Sequence, residues 1–326
     1  EQEIVKKYFD TETNSLVFSE AQKISTDSYD IHNRATASYI RSYTDSTFAT
    51  FKDEMQRVIY VKYDKFGNVE TQTGDTYTSF DIDQAYQVDH TLIENTYTTP
   101  IAQRRGNADI SVVTRSDKAG NLIDRSTTTT TLFNGFGYAI DQNVISEVYS
   151  LGAFVKTEKR EVHNVSLDNR GDAETQTIRS YISDDNGLSY DLVTYQELTN
   201  RKFDSDHNIT NQMILTYNKP VDEAGSILLD CQEVRSIGFH SSGVALKQVM
   251  ATFTDLTKAT LLDVKVIENS DISLQGYVGR STVTRYDGLI NYDGNAGSLV
   301  PDASKMVDEQ VIETLSFDLR GNALEQ

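Results

Sequence analysis

The residues best placed to do chemistry lie in Asp204-Ser205-Asp206-His207-Asn208. Oxygen-bearing side chains at the first, third and fifth positions have the spacing with which a calcium loop surrounds a hard cation. The segment has neither the central Gly nor the closing Glu of an EF-hand loop. A second oxygen-rich stretch holds Asp287, Asn291, Asp293 and Asn295. Ca²⁺ is the one cofactor these groups would suit, and the expectation is that none is required. His32, His90, His163, His207 and His240 show no metal-ligand spacing among themselves. Cys231 is the single cysteine, in the strand-like run Ile227–Val234. It reads as a small buried apolar residue, and no internal disulfide can form. No nucleophile elbow, phosphate loop or dinucleotide fingerprint is present. The glycines of Phe133-Asn134-Gly135-Phe136-Gly137 read as a loop. With 49 acidic residues, no carboxylate pair stands out as a catalytic couple. The expectation is a protein that is not an enzyme.

Asp204 and Asn208 have a second explanation, and the elements that would position them supply it. Val61–Tyr77 is a complete β-hairpin. Ile59, Val61 and Tyr63 alternate with polar residues before the turn, and Val69, Thr71 and Thr73 do so after it. Between them lies Asp64-Lys65-Phe66-Gly67-Asn68. Asp at the head of a type I turn can accept hydrogen bonds from the turn's own backbone. Gly at the fourth position takes the left-handed conformation that closes a bulged hairpin. The same turn is written at Asp117, Gly120 and Asn121, at Asp168 and Gly171, and at Asp318, Gly321 and Asn322. A further copy begins at Phe203, looser copies begin at Phe9 and Tyr29, and a degenerate one at Phe239. Where Gly is lost, His207 or Asn33 can stand in, because both tolerate positive φ.

This pattern of aromatic or Leu, Asp, two free positions, Gly and Asn resembles the YD-repeat family. Its arrays occur in RHS-type shell proteins, toxin-complex cocoons and teneurins. The resemblance implies that each unit is one hairpin of a long spiralling sheet. It covers the turns and their flanks. Family units recur at about twenty residues, a spacing matched here only by Asp10 and Asp30. Nothing resembles the core segment of the shells or a toxin or protease module, so enclosure of a toxin is not implied.

Composition agrees with strands. The 326 residues are 10% aromatic, mostly Tyr, with 3 Pro and no Trp. A net charge of −19 argues against nucleic acid and anionic membrane surfaces. No apolar run is long enough to span a membrane. The expected fold is an all-β, elongated array of antiparallel hairpins over residues 1–326, with little or no helix and no internal boundary. Residues 46–55 are the best helix-like interval, 80–94 an irregular acidic excursion, 133–138 a loop, 261–267 with 277–286 an inserted hairpin, and 287–298 a long loop. The run Thr127–Thr131 is expected to be a strand whose hydroxyls ladder with neighbours.

The ends carry a further expectation. Read after Gln326, the opening residues restore the repeat register, and Asp318 to Asp10 then spans about eighteen residues. One copy's first strand, through Ile4, Val5 and Tyr8, would complete another copy's last hairpin at Ala323 and Leu324. The expected partners are therefore other copies, head to tail, either as separate subunits or as one period of a tandem. The expected role is a structural unit of an extracellular or cell-surface filament, fibre or shell. The alternative is a carbohydrate- or cell-binding module of a surface adhesin.

Overall fold

Most of the described chain is extended, as its alternating Val, Ile, Thr and Tyr demand. The computed structural model describes residues 1–10, 14–292, 298–318 and 320–326. The strands are β1 (Gln2–Asp10), β2 (Ser15–Tyr29), β3 (Ala35–Tyr43), β4 (Phe51–Tyr63), β5 (Val69–Tyr77), β6 (Gln87–Thr96), β7 (Ile110–Asp117), β8 (Leu122–Phe133), β9 (Ala139–Ser150), β10 (Ala153–Leu167) and β11 (Ala173–Ile182). They continue as β12 (Asp191–Phe203), β13 (Ile209–Tyr217), β14 (Leu228–Phe239), β15 (Ala245–Phe253), β16 (Leu261–Ile272), β17 (Val278–Tyr286), β18 (Leu289–Tyr292), β19 (Leu299–Pro301), β20 (Met306–Glu313), β21 (Ser316–Phe317) and β22 (Ala323–Glu325). Among the described residues, one four-residue helix, α1 (Pro100–Gln103), and a 3₁₀ turn at Ala303–Lys305 interrupt them. The fold is all-β, built of antiparallel hairpins.

The chain forms two compact units. Unit 1 comprises Glu1–Lys7, Phe18–Val162 and Ile182–Asp191; unit 2 comprises Tyr8–Val17, His163–Tyr181 and Leu192–Gln326. In unit 1 each strand from β2 to β9 pairs antiparallel with the next in sequence. Turns therefore alternate between the two ends of the strands. Those leaving β2, β4, β6 and β8 share one end, and those leaving β3, β5, β7 and β9 share the other. Met55, Ala21, Tyr43 and Tyr77 are buried here.

In unit 2 the sequential ladder runs from β12 to β17 and then to β20. Leu215, Cys231, Val249, Ala251, Phe253 and Val264 point to one sheet face. The short pair β18–β19 folds onto them through Leu289, Tyr292 and Leu299. Of the expected long loop over 287–298, β18 is thus part of a small cover, and residues 293–297 lie outside the described residues.

Several expectations are corrected. Residues 46–55 are no helix: Asp45 accepts from the amides of Thr47, Ala49 and Thr50, which locks a turn, and β4 starts at Phe51. Of the acidic 80–94 stretch, only the first part is irregular. From Gln87 it is β6, paired with β5 and β7. Leu261–Ile267 and Tyr277–Tyr286 are not an insertion, since β16 and β17 continue the ladder from β15. Thr127–Thr131 lies within β8 as expected. Thr130 Oγ1 accepts from Gln142 of β9 at 3.2 Å and Thr131 Oγ1 donates to Asp141 O at 3.4 Å, while Thr127 lies between Val112 and Ile145.

Candidate functional site

The repeated turn is built as its residues dictate. In Asp64–Asn68, the Asp64 amide donates to Asn68 O at 2.9 Å, and the Gly67 amide to Asp64 O at 3.2 Å. Asp64 Oδ1 accepts from the amides of Phe66 (2.8 Å) and Asn68 (2.9 Å), and Oδ2 from Asn68 Nδ2 at 2.8 Å. The same three bonds recur at Asp117 with Asn121, Asp204 with Asn208, and Asp318 with Asn322. Asp168 makes the two amide bonds. Gly67, Gly120, Gly171 and Gly321 have φ between +82° and +91°. His207 (+66°) and Asn33 (+60°) occupy the same slot, as expected.

These donors hold the carboxylates ionised. The Asn121 side chain first, and then backbone amides, lower the Asp117 pKa. At Asp64 burial opposes ionisation, but the Asn68 and Gln103 donors outweigh it. The Arg34 amide is the largest influence on Asp30, which falls to about 2.

Three copies escaped the sequence pattern or were barely visible in it. Asn134 Oδ1 accepts from the amides of Phe136 (2.9 Å) and Tyr138 (3.0 Å), and Gly137 has φ +84°. The expected loop at 133–138 is therefore another hairpin turn headed by Asn. Ser273 Oγ accepts from the Tyr277 amide at 3.1 Å, with Gly276 at φ +88°. His240 Nδ1 takes the Ser242 amide at 3.2 Å, with Gly243 at φ +84°. Asn, Ser and His all supply the acceptor that Asp supplies elsewhere. Leaving aside the copies at Asp117 and Asp318, the heads are Asp30, Asp64, Asn134, Asp168, Asp204, His240 and Ser273, spaced 33–36 residues apart except for one double interval after Asp64. That interval is filled by α1. Asn68 Nδ2 donates to Gln103 O (2.6 Å), Gln103 Nε2 to Asp64 Oδ2 (2.9 Å), and Asn107 Nδ2 to Gly137 O (2.8 Å). Elsewhere the turns touch directly. Arg34 donates to Asp64 O at 3.3 Å, and Arg170 to Asp204 O at 2.8 Å. Asp172 joins His207 Nδ1 at 2.6 Å. The turns form a ladder of their own in each unit.

A second repeated loop was missed altogether. Thr44–Thr50 and Thr254–Thr260 share Thr-Asp-x-Thr-x-Ala-Thr. Phe48 (φ 58°) and Lys258 (φ 56°) hold equivalent left-handed positions. In unit 1, Lys23 Nζ stands 4.9 Å from the centre of the Phe48 ring. In unit 2 the position equivalent to Lys23 is Glu233, which is fully buried. Glu233 accepts from Lys258, from Arg235 at 2.9 Å and from the Tyr292 hydroxyl at 3.0 Å. Cys231 beside it is also fully buried, and burial pushes its thiol pKa up, away from a nucleophilic thiolate.

The candidate cation sites can now be placed. Both oxygens of Asp204 are committed to the turn, Asp206 is exposed, and the Asn208 side chain donates to Asp204. The Asp287 amide bonds Lys305 O. Asp293 and Asn295 lie outside the described residues. No cluster of three His, Cys, Asp or Glu suited to a metal occurs among the described residues. Of the end residues, Val5 is exposed, and the Tyr8 ring covers Gly238. Ala323 pairs with Phe317 in β21–β22, and Leu324 is exposed. No helix among the described residues is long and apolar enough to cross a membrane.

Unit 2 also holds a cavity of about 790 Å³, floored by the sheet and roofed by Leu299 and Pro301. Lys202, Asn211, Arg235 and Tyr286 line it. Asn211 is 4% exposed, and its Oδ1 has no partner among the described residues.

Fold and turns together define an all-β hairpin-repeat protein. No protein-family profile matches the chain, and no curated protein does. Among solved structures, the crystal structure of TcdB2–TccC3 matches at 7% identity and a TM-score of 0.15, covering 90% of this chain and 22% of that one. A Photorhabdus luminescens Tc holotoxin pore carrying a TccC3 mutation matches at 8% identity and a TM-score of 0.14, covering 90% and 21%. The chain thus spans about a fifth of the length of either neighbour's chain.

Proposed function

We propose that this chain is a non-catalytic structural repeat unit, of the YD-repeat kind, in an extracellular or cell-surface filament, fibre or shell. The observation that carries the reading is the turn ladder. One hydrogen-bonded turn recurs along each unit, and where a turn is absent from its place α1 fills the gap. The acceptors most suited to a ligand, the Asp carboxylates, are spent on holding this ladder together. Copies join head to tail, with the strand carrying Ile4, Val5 and Tyr8 adding beside the exposed β22. Such a contact does not close on itself and propagates. Neither a cofactor nor Ca²⁺ is required. Negative-stain imaging of the native material tests the reading: ordered polymers or walls are expected, and dispersed single particles at high concentration refute it.

The unit 2 cavity favours a second reading, a carbohydrate- or cell-binding module. The buried Asn211 carbonyl and the Arg235 guanidinium suit the donors and acceptors of a sugar. A glycan array probed with and without chelator separates the two readings. Binding that Asn211→Ala abolishes would support the second, and no binding would dismiss it.

A further inference from the structure

The two ends of the unit 1 strands carry opposite chemistry. At the end that bears the Asp30, Asp64 and Asn134 turns, Ile31, Phe66, Ile101 and Phe136 recur at every thirty-fifth residue. Ile31, Phe66 and Phe136 stand at turn tips, and Ile101 stands on α1, which fills the missing turn. Their exposures are 95%, 48%, 41% and 67%, so they form a row of outward apolar side chains. Successive turns are two strands apart, about 10 Å, which makes the row about 30 Å long.

The charges beside this row are cationic. Lys65, Arg104 and Arg105 are exposed, and Arg34 is half-buried. Asp27 is the exposed acid beside the first turn, while the acids of the turns and of the α1 segment are turned inward. Asp30 and Asp64 hold turn amides, and Asp109 accepts from the Thr98 and Thr99 amides.

The opposite end is apolar and acidic. Phe80 (51%), Ile82 (50%) and Leu188 (89%) are exposed there. Asp81, Asp83, Asp184 and Asp191 are exposed around them, against Lys118. The Asn186 side chain accepts from the Lys156 amide, which places the Asp184–Leu188 loop at this end.

We infer that these two edges bind each other between copies of this chain, the basic apolar edge of one unit 1 against the acidic apolar edge of the next. The occupant is fixed by complementarity: each edge offers apolar tips, and the flanking charges are of opposite sign. Because the two patches differ, the contact is heterologous and leaves a free edge at both sides of every pair. The inference rests on the reading of the chain as an assembling structural unit. It adds a side-to-side contact to the end-to-end one.

Sedimentation of the full chain over a range of concentration and salt provides the test. Ile31→Ser, Phe66→Ser and Phe136→Ser combined should weaken side-to-side association by at least about 100-fold. These side chains are exposed, so the melting temperature should hold. Lys65→Glu with Arg104→Glu should weaken association, as should Asp81→Lys with Asp83→Lys and Asp184→Lys. Mixing the two charge variants should restore it. Carbodiimide coupling of mixed light and heavy isotope copies should link Lys65 of one copy to Asp81 or Asp83 of another. If the wild-type protein associates and the variants associate equally well, this contact is wrong and the structural reading stands. If the wild-type protein stays a single chain at high concentration, both fail. Binding of the apolar row to anionic vesicles without self-association would likewise overturn the inference.

Discussion

Adding one methyl group at Gly67 and at Gly137 should separate backbone strain from contact in the turn ladder. The two glycines hold the same slot in their turns, with φ +90° and +84°. Any L-residue there costs about 1–2 kcal/mol for the left-handed backbone. At Gly67 an added Cβ would meet nothing within 4 Å, so that strain is the whole cost. At Gly137 it would lie 2.8 Å from Ile101 O and 3.1 Å from Ala102 Cα. Both are backbone atoms of the α1 segment, which must move. Such overpacking adds about 1–3 kcal/mol. The Asn107 bond to Gly137 O, 2.8 Å long, is strained with it, at about 1 kcal/mol more. Gly67→Ala should therefore cost about 1–2 kcal/mol and Gly137→Ala about 3–6 kcal/mol. Guanidinium unfolding followed by circular dichroism reads both, provided the slopes match. Limited proteolysis should also cut residues 100–107 faster in the second variant. Equal losses would refute the claim that α1 bears on the neighbouring turn. A neutral Gly67→Ala would refute the positive φ itself.

Glu233→Gln should cost about 3–5 kcal/mol, since it leaves the buried Arg235 and the half-buried Lys258 beside a neutral amide. Joining Glu233→Lys with Lys258→Phe, which copies the unit 1 pairing of Lys23 and Phe48, should recover part of the loss suffered by Glu233→Lys alone, as thermal melts would show. The Asp30 pKa is lowered to about 2 in the fold. Its contribution is thus present above its unfolded pKa of about 3.9 and is lost as pH falls from about 4 to 2. Acid titration of Asp30→Asn should show a flatter stability profile over that window; an unchanged profile refutes the assignment. Chelation should leave the melting temperature unchanged, and a clear drop would show a bound cation that the turns do not need on the present account.

The turn chemistry was legible because it is local. Asp, Gly and Asn at fixed offsets each do one job, and the structure uses them so at Asp64, Asp117 and Asp318, and at Asp204 with His207 in the glycine slot. The period was not legible. Asn134, Ser273 and His240 do the work of Asp with different letters, and α1 occupies one turn's place, so matching letters gave irregular intervals. The helix-like reading of 46–55 failed because one carboxylate, Asp45, gathers three amides and ends the helix pattern before it can start. The cover over the unit 2 sheet could not be read either. Leu289 and Leu299 lie in a Gly- and Asp-rich stretch, and only the sheet they land on gives them a core.

The alternation of turns between strand ends limits how such a chain can change its length. Deleting or duplicating a single strand would send every later turn to the opposite end. The tips headed by Asp64 and Asn134 would then lie at the end where the Thr44–Thr50 loop belongs, and the basic and acidic edges of unit 1 would scramble. Two strands at a time, about thirty-five residues, leave every later turn where it was. Growth by unequal recombination is therefore tolerated only in even steps, and a relative of different size should differ by whole multiples of that pair.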